Sequence, residues 1–120
     1  MDVSPYVEYQ RHRIQIREAH REAARAEALQ AIERMQPVFA ETLGLQRVYL
    51  FGSLQRNRFR EDSDIDLAVE GVNAETFLRL SARLRSVTTR PVDLIDLKDC
   101  EDPFARFIRE FGRVLYERAA

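Results

Sequence analysis

One cysteine in 120 residues, Cys100, leaves no partner for an internal disulfide, and no second Cys or His stands at zinc-ligand spacing from it. That excludes a disulfide scaffold and a cysteine-built zinc module, and it fits a reducing compartment. Long apolar runs are missing as well. The opening Met1-Asp2-Val3-Ser4-Pro5 lacks the basic-then-apolar layout of a signal peptide, so a cytoplasmic protein with no membrane contact is expected. Nor is there an excess of charge: 19 basic and 20 acidic residues give a formal net charge of -1. No overall field therefore draws the chain to nucleic acid or anionic lipid, and direct nucleic-acid binding is not expected. Any polyanion must be held by local geometry. The length and the 45% apolar content fit one domain around one core, expected over residues 1–120. No internal repeat is present, and the only compositional bias is toward Ala, Glu and Arg near the N-terminus.

What is there begins with a helix. Residues 6–36 contain neither Gly nor Pro and are rich in strong helix formers. The first part is mostly charged, with only a thin apolar stripe through Val7 and Ile14. Farther on, Leu29, Ile32, Met35, Phe39 and Leu43 recur at spacings of three and four and predict a core-facing stripe. Pro37 is expected to kink the helix or start a new turn, and Gly44 to stop it, giving a helical segment over 6–43. Arg47-Val48-Tyr49-Leu50-Phe51 reads as a buried strand opening at Gly52 into a turn. A second strand covers Ile65 to Val69 and closes at Gly71. Asn73 caps a helix running to Arg85 with Phe77, Leu80 and Leu84 on one face, and Pro91 to Leu97 is a third strand. Asp102-Pro103 starts a last helix whose inward stripe is predicted as Phe104, Phe107, Ile108 and Phe111. The apolar coda Val114-Leu115-Tyr116 has no assigned state. The order helix, strand, strand, helix, strand, helix implies an α+β fold, a small mixed sheet with helices packed on it, with residues 47–118 carrying the sheet and the later helices.

Chemistry concentrates in two places. In Ser63-Asp64-Ile65-Asp66-Leu67 two carboxylates stand two apart at the start of an apolar strand, so both project from one face. Like charges that close repel unless a cation lies between them, and hard oxygen donors suit Mg2+. A solvated strand edge would show the same pair. Gly52-Ser53, separated from Asp64 by ten intervening residues, leaves a buried strand through a turn. Glycine lets the backbone approach a ligand, and Ser53 adds a hydroxyl beside exposed backbone N–H groups, a cradle for phosphate oxygens. With each residue type at roughly 5–7% abundance, these four positions should coincide on the order of once in a thousand sequences.

Leu50-Phe51-Gly52-Ser53 through Asp62-Ser63-Asp64-Ile65-Asp66-Leu67 resembles the Gly-Ser and Asp-x-Asp signature of the minimal nucleotidyltransferase (MNT) family, in the DNA polymerase β-like superfamily. The family's third carboxylate, in the form Val-Asp-Leu, is matched by Val92-Asp93-Leu94. The Gly112-Arg113-Val114-Leu115-Tyr116 ending is similar too, so the likeness covers roughly residues 26–118. One departure follows Gly-Ser. Gln55 stands where the family has a small residue and Asn57 where it has Gly, while Arg56 keeps the basic position. Asn tolerates the left-handed backbone better than most residues, so the loop is expected to survive.

The resemblance implies that Asp64, Asp66 and Asp93 hold two Mg2+ ions and carry catalysis, and that Gly52, Ser53 and Arg56 bind the triphosphate of ATP. Asp93 and Asp96 differ in strand parity, so only one can face the metals, and the family match favours Asp93. Arg58 and Arg60 are left either to meet triphosphate or an acidic partner, or to stand in water. A lone lobe of this kind has no added domain to bind an acceptor. The resemblance therefore implies an antitoxin that transfers AMP to a tyrosine hydroxyl of a HEPN ribonuclease toxin; the Arg/Glu-rich helix of residues 6–28, which the likeness does not explain, is either a docking surface for such a partner or a solvated helix covering one side of the sheet. Two alternatives are a binding subunit that neutralises its partner by occlusion, and transfer to a small hydroxylated molecule such as an aminoglycoside.

Overall fold

The computed structural model describes residues 2–119. Its elements run α1 (Ser4–Glu41), β1 (Arg47–Phe51), α2 (Gly52–Gln55), β2 (Ile65–Glu70), α3 (Ala74–Ser86), β3 (Val92–Asp96), a 3-10 turn (Leu97–Asp99), α4 (Asp102–Phe111) and β4 (Arg113–Glu117). The four strands form one mixed sheet in the order β3-β2-β1-β4. β1 lies antiparallel to both β2 and β4, and β2 runs parallel to β3 with α3 as the crossover. The apolar coda is thus an edge strand. Gly52-Ser53, expected as a plain turn, is the start of a single helical turn, and β3 stops at Asp96 because Leu97 already belongs to the 3-10 turn.

Helices cover both faces of the sheet. Val48, Leu50, Ile65, Leu67 and Val69 pack under α1 and α3, which supply Ala28, Met35, Phe39, Leu80 and Leu84. Tyr49 and Ala68 face the other way, toward Ala105 and Ile108 of α4. This period-two division is why β1 reads as a continuous apolar run: both of its faces are buried. α3 starts as its sequence predicts, with the Asn73 side chain accepting from the Thr76 N–H at 2.8 Å.

Two expectations fail for local reasons, and the helix does not end at Pro37. α1 continues through Pro37 to Glu41. Pro37 and Glu33, whose carbonyl loses its helical donor there, are both exposed, so that carbonyl is left open to solvent rather than buried unpaired. Thr42 then turns extended, with φ -82° and ψ 116°, which throws Leu43 out of helical register. Leu43 is 84% exposed rather than part of the core stripe, and the buried face of α1 is Ala24, Ala28, Ala31, Ile32, Met35, Val38 and Phe39. In α4 the phenylalanines do not point inward. Ala105 and Ile108 are buried, while Phe104, Phe107 and Phe111 are 44%, 47% and 56% exposed. The small Ala105 lets the helix come down on Tyr49 and Ala68. Phe104 then meets the sheet only edge-on, against Phe51 at 5.9 Å, and Phe107 stacks on Phe111 at 5.2 Å.

The molecule is 67 Å along its longest axis. A helix of 38 residues accounts for about 57 Å of that at the usual rise. Its first half explains the rest of the shape, since no residue between Ser4 and Ala23 is buried.

Candidate active site

The register of the sheet assembles the carboxylates. Phe51, the last residue of β1, pairs with Asp66, and Asp66 pairs with Asp93 across the parallel ladder. These side chains share the face that carries Ala68 and Ile95, on the α4 side of the sheet. Asp64 immediately precedes β2. Asp96 goes elsewhere: it is buried, its Oδ1 accepts from the Lys98 N–H at 3.1 Å, and Oδ2 lies 3.6 Å from Lys98 Nζ. It therefore caps the 3-10 turn, and Asp93 is the carboxylate beside Asp66.

Gly52 fits tightly against this row. Its φ is +77°, and a Cβ built there would fall on Asp66 Oδ2 and within 2.9 Å of its Cγ. The space a side chain would fill is already occupied by the carboxyl group, so the glycine serves both the backbone conformation and the packing. Ser53 follows at the start of α2, half-exposed, and its carbonyl accepts from the Arg58 N–H at 2.8 Å.

Electrostatically the row is unbalanced. Burial, then the neighbouring charges of Asp93 and Asp64, push the Asp66 carboxyl up to about 6. Among the described residues no Lys, Arg or His forms an ion pair with Asp64, Asp66 or Asp93. Nor do any three His, Cys, Asp or Glu side chains there close into a finished metal cage. The donors are hard oxygens with uncompensated negative charge. In type and charge they fit a divalent cation such as Mg2+.

The loop from Arg56 to Ser63 is held from outside by residues that sequence patterns did not single out. Arg90, with a side chain only 9% exposed, donates from Nη1 to the carbonyls of Glu61 at 2.8 Å and Ser63 at 3.4 Å. Its Nη2 lies 3.7 Å from Glu27 of α1, and its guanidinium covers the ring of Phe59 at 5.0 Å. Arg90 thus ties α1, the loop end that precedes Asp64 and the strand that carries Asp93. Its position before Pro91 gave no signal of this, because its partners lie 27–63 residues away. The two departures from the family pattern are also accounted for. Gln55 donates from Nε2 to the Phe111 carbonyl at 3.0 Å, joining α2 to the end of α4. Asn57 adopts φ +60°, as expected of an Asn in a Gly position, and its Oδ1 accepts from Arg25 Nε at 3.0 Å. Arg56 is exposed at the end of α2, and its N–H donates to the Gly52 carbonyl at 3.1 Å.

Comparison with known proteins bears on this geometry. No curated protein matches the chain. Among solved structures, a chain of a toxin–antitoxin structure with AMP-PNP superposes with a TM-score of 0.62 at 25% identity, covering 72% of this chain and 73% of its own. A protein described as a minimal nucleotidyltransferase gives 0.61 at 28%, covering 72% and 91%. A chain from a structure of a tri-AMPylated Shewanella oneidensis HEPN toxin with an MNT antitoxin gives 0.56 at 23%, covering 75% and 72%, which speaks for the fold. The sequence profile of the family described as "Polymerase beta, Nucleotidyltransferase" matches residues 33–120, the span that holds Gly52, Ser53 and all three carboxylates. The fold, the glycine packed against Asp66 and this match lead to one statement: the chain belongs to the polymerase β nucleotidyltransferase family.

Proposed function

We propose that the chain transfers AMP from ATP to a hydroxyl group of a protein partner, most simply a tyrosine of a HEPN toxin, and acts as that toxin's antitoxin. The observation that carries the reading is the row Gly52–Asp66–Asp93, in which a glycine without room for a side chain backs one of two adjacent, unneutralised carboxylates. Pure occlusion of a partner needs no such arrangement. The family match and the toxin–antitoxin relative containing AMP-PNP support the reaction class and the partner.

In this reaction the acceptor oxygen attacks the α-phosphorus of ATP, the bond to the β-phosphate oxygen breaks, and pyrophosphate leaves while the hydroxyl proton is lost. Asp64, Asp66 and Asp93 would hold a divalent cation, which when bound supplies charge neutralisation for the triphosphate. Asp93 lies at the exposed edge strand β3, where an incoming hydroxyl can reach it, and would accept the proton. Gly52 and Ser53 would receive phosphate oxygens, with Arg56 free to add its guanidinium. The exposed first half of α1 would give the partner a docking arm.

The test incubates the chain with labelled ATP, Mg2+ and its candidate HEPN partner, beside the Asp64→Ala/Asp66→Ala variant. Label should pass to the partner and fall on the order of a thousandfold in the variant, the scale expected for deleting electrostatic stabilisation of the transition state. Undiminished transfer by the variant would sink the site assignment. A variant that still neutralises the partner without any transfer would hand the function to occlusion, and label on an aminoglycoside alone would change the acceptor class.

A further inference from the structure

A cleft of about 380 Å3 opens between α1 and the loop residues 57–60, and the chemistry above does not use it. Its walls carry Arg21, Arg25, Arg58 and Arg60, with Phe59 and a single acid, Glu22. None of Gly52, Ser53, Asp64, Asp66 or Asp93 lines it. We propose that this cleft binds a small oligophosphate at a site separate from the carboxylate row.

Unspent charge is the first argument. Arg47, Arg79, Arg83, Arg90 and Arg109 each face a glutamate. Arg25 is bonded to Asn57, but Arg21, Arg58 and Arg60 make no ion pair and no side-chain hydrogen bond among the described residues. Guanidinium groups gathered around one concavity repel one another until an anion enters. Their planar forks suit phosphate oxygens in pairs.

Size and charge density select the ligand. The cleft lies near the small end of the range for small-molecule sites, about 300–1,000 Å3. A phosphate chain packs several negative charges into that space, whereas an acidic peptide brings one per residue. The ligand would also bear on the neighbouring site. Asn57, at φ +60°, is braced by Arg25, and the Arg58 N–H donates to the Ser53 carbonyl, so occupancy would stiffen the segment that leads out of Gly52-Ser53.

The probe is inorganic tripolyphosphate, titrated calorimetrically into the full chain in EDTA at low salt, where metal-dependent nucleotide binding is silent. Saturable binding is expected. Arg58→Gln/Arg60→Gln should weaken it by about tenfold or more, the loss expected for removing charge-assisted hydrogen bonds, and Asp64→Asn/Asp66→Asn should leave it intact. Arg21→Gln, on the exposed face of α1, should also weaken it and guards against a local collapse of the loop; thermal unfolding confirms that each variant folds. Four outcomes would overturn the proposal: no binding at millimolar tripolyphosphate, binding indifferent to all three arginines, binding lost with the carboxylates, or capture of single-stranded RNA with no affinity for tripolyphosphate. The first three leave the transferase reading standing, because the labelled-ATP assay with Mg2+ tests that separately.

Discussion

On the α4 side of the sheet, the segment from Gly52 to Ser63 borders a row of carboxylates without a basic partner; on its α1 side it borders four guanidinium groups with one acid, Glu22, among them. Elsewhere several arginines meet an acid, as in Arg47 with Glu117, Arg83 with Glu41 and Arg109 with Glu70, while others among the described residues, such as Arg85, Arg106 and Arg113, stand singly in solvent. A net charge of -1 hides this division completely. Surface pairs of the second kind contribute little to stability, roughly 0–1 kcal/mol each. Charge left unpaired in a concave or half-buried place costs something in the free protein and is relieved only by a ligand. The two sides of the loop therefore call for ligands of opposite sign, and changes that disturb one side and spare the other test whether they are independent.

The largest effect should come from Gly52→Ala. The new Cβ meets the Asp66 carboxyl directly and sits on a backbone with φ +77°. The left-handed conformation alone costs about 1–2 kcal/mol for a residue with a side chain, and displacing Asp66 should lower transfer at least about a hundredfold. Tripolyphosphate binding to the arginine cleft should persist. Equal loss of both would show that Gly52 supports the whole loop rather than the carboxylate row.

Next comes Arg90→Gln, which acts on both sides because Arg90 holds the carbonyls of Glu61 and Ser63 while facing Glu27. Losing these largely buried charge-assisted bonds should cost about 2–3 kcal/mol, read as a lower midpoint in urea. Transfer should fall mainly through kcat, since the carboxylates stay but their spacing loosens. An unchanged midpoint would mean that the loop does not depend on Arg90.

How much of this was legible from the chain follows the range of each interaction. β1, β2 and α3 were readable because short apolar runs, Gly71 and the Asn73 cap act within a few residues. The nearness of Asp64 to Asp66 followed from their spacing, although Asp64 stands just before β2 rather than in it, and the choice of Asp93 as the neighbour of Asp66 needed only parity and a family likeness. α4 was misread because helical spacing identifies an apolar stripe but not what lies under it. Phe104, Phe107 and Phe111 outrank Ala105 in hydrophobicity, yet the sheet accepts the smaller residue. Leu43 failed because the end of α1 is set by the conformation of Thr42, which no spacing rule sees. Arg90 and Arg25 were invisible for a third reason: each meets loop residues more than 25 positions distant, and an arginine in a charged sequence carries no mark of such a partner.

The smallest effect reads the burial and crowding of Asp66 in the carboxylate row. In the metal-free protein Asp66 is held at about 6, against an ordinary value of 3.8, so ionising it is harder in the folded chain than in the unfolded one. A carboxyl raised in this way costs the fold nothing below pH 3.8; the cost grows as pH climbs and is complete above about 6. Asp66→Asn removes the charge while keeping the shape. At pH 7.5 it should stabilise the metal-free protein by about 1 kcal/mol, a figure reduced for solvent screening because the group is only half-buried, and this raises Tm by about 4 °C. At pH 4 variant and wild type should melt together. Adding Mg2+ at pH 7.5 should reverse the order, since the cation stabilises only the chain that can bind it. A difference that does not change with pH would mean that neither burial nor the charges of Asp93 and Asp64 raise Asp66, and would remove the electrostatic reason for placing a cation there while leaving the arginine cleft untouched.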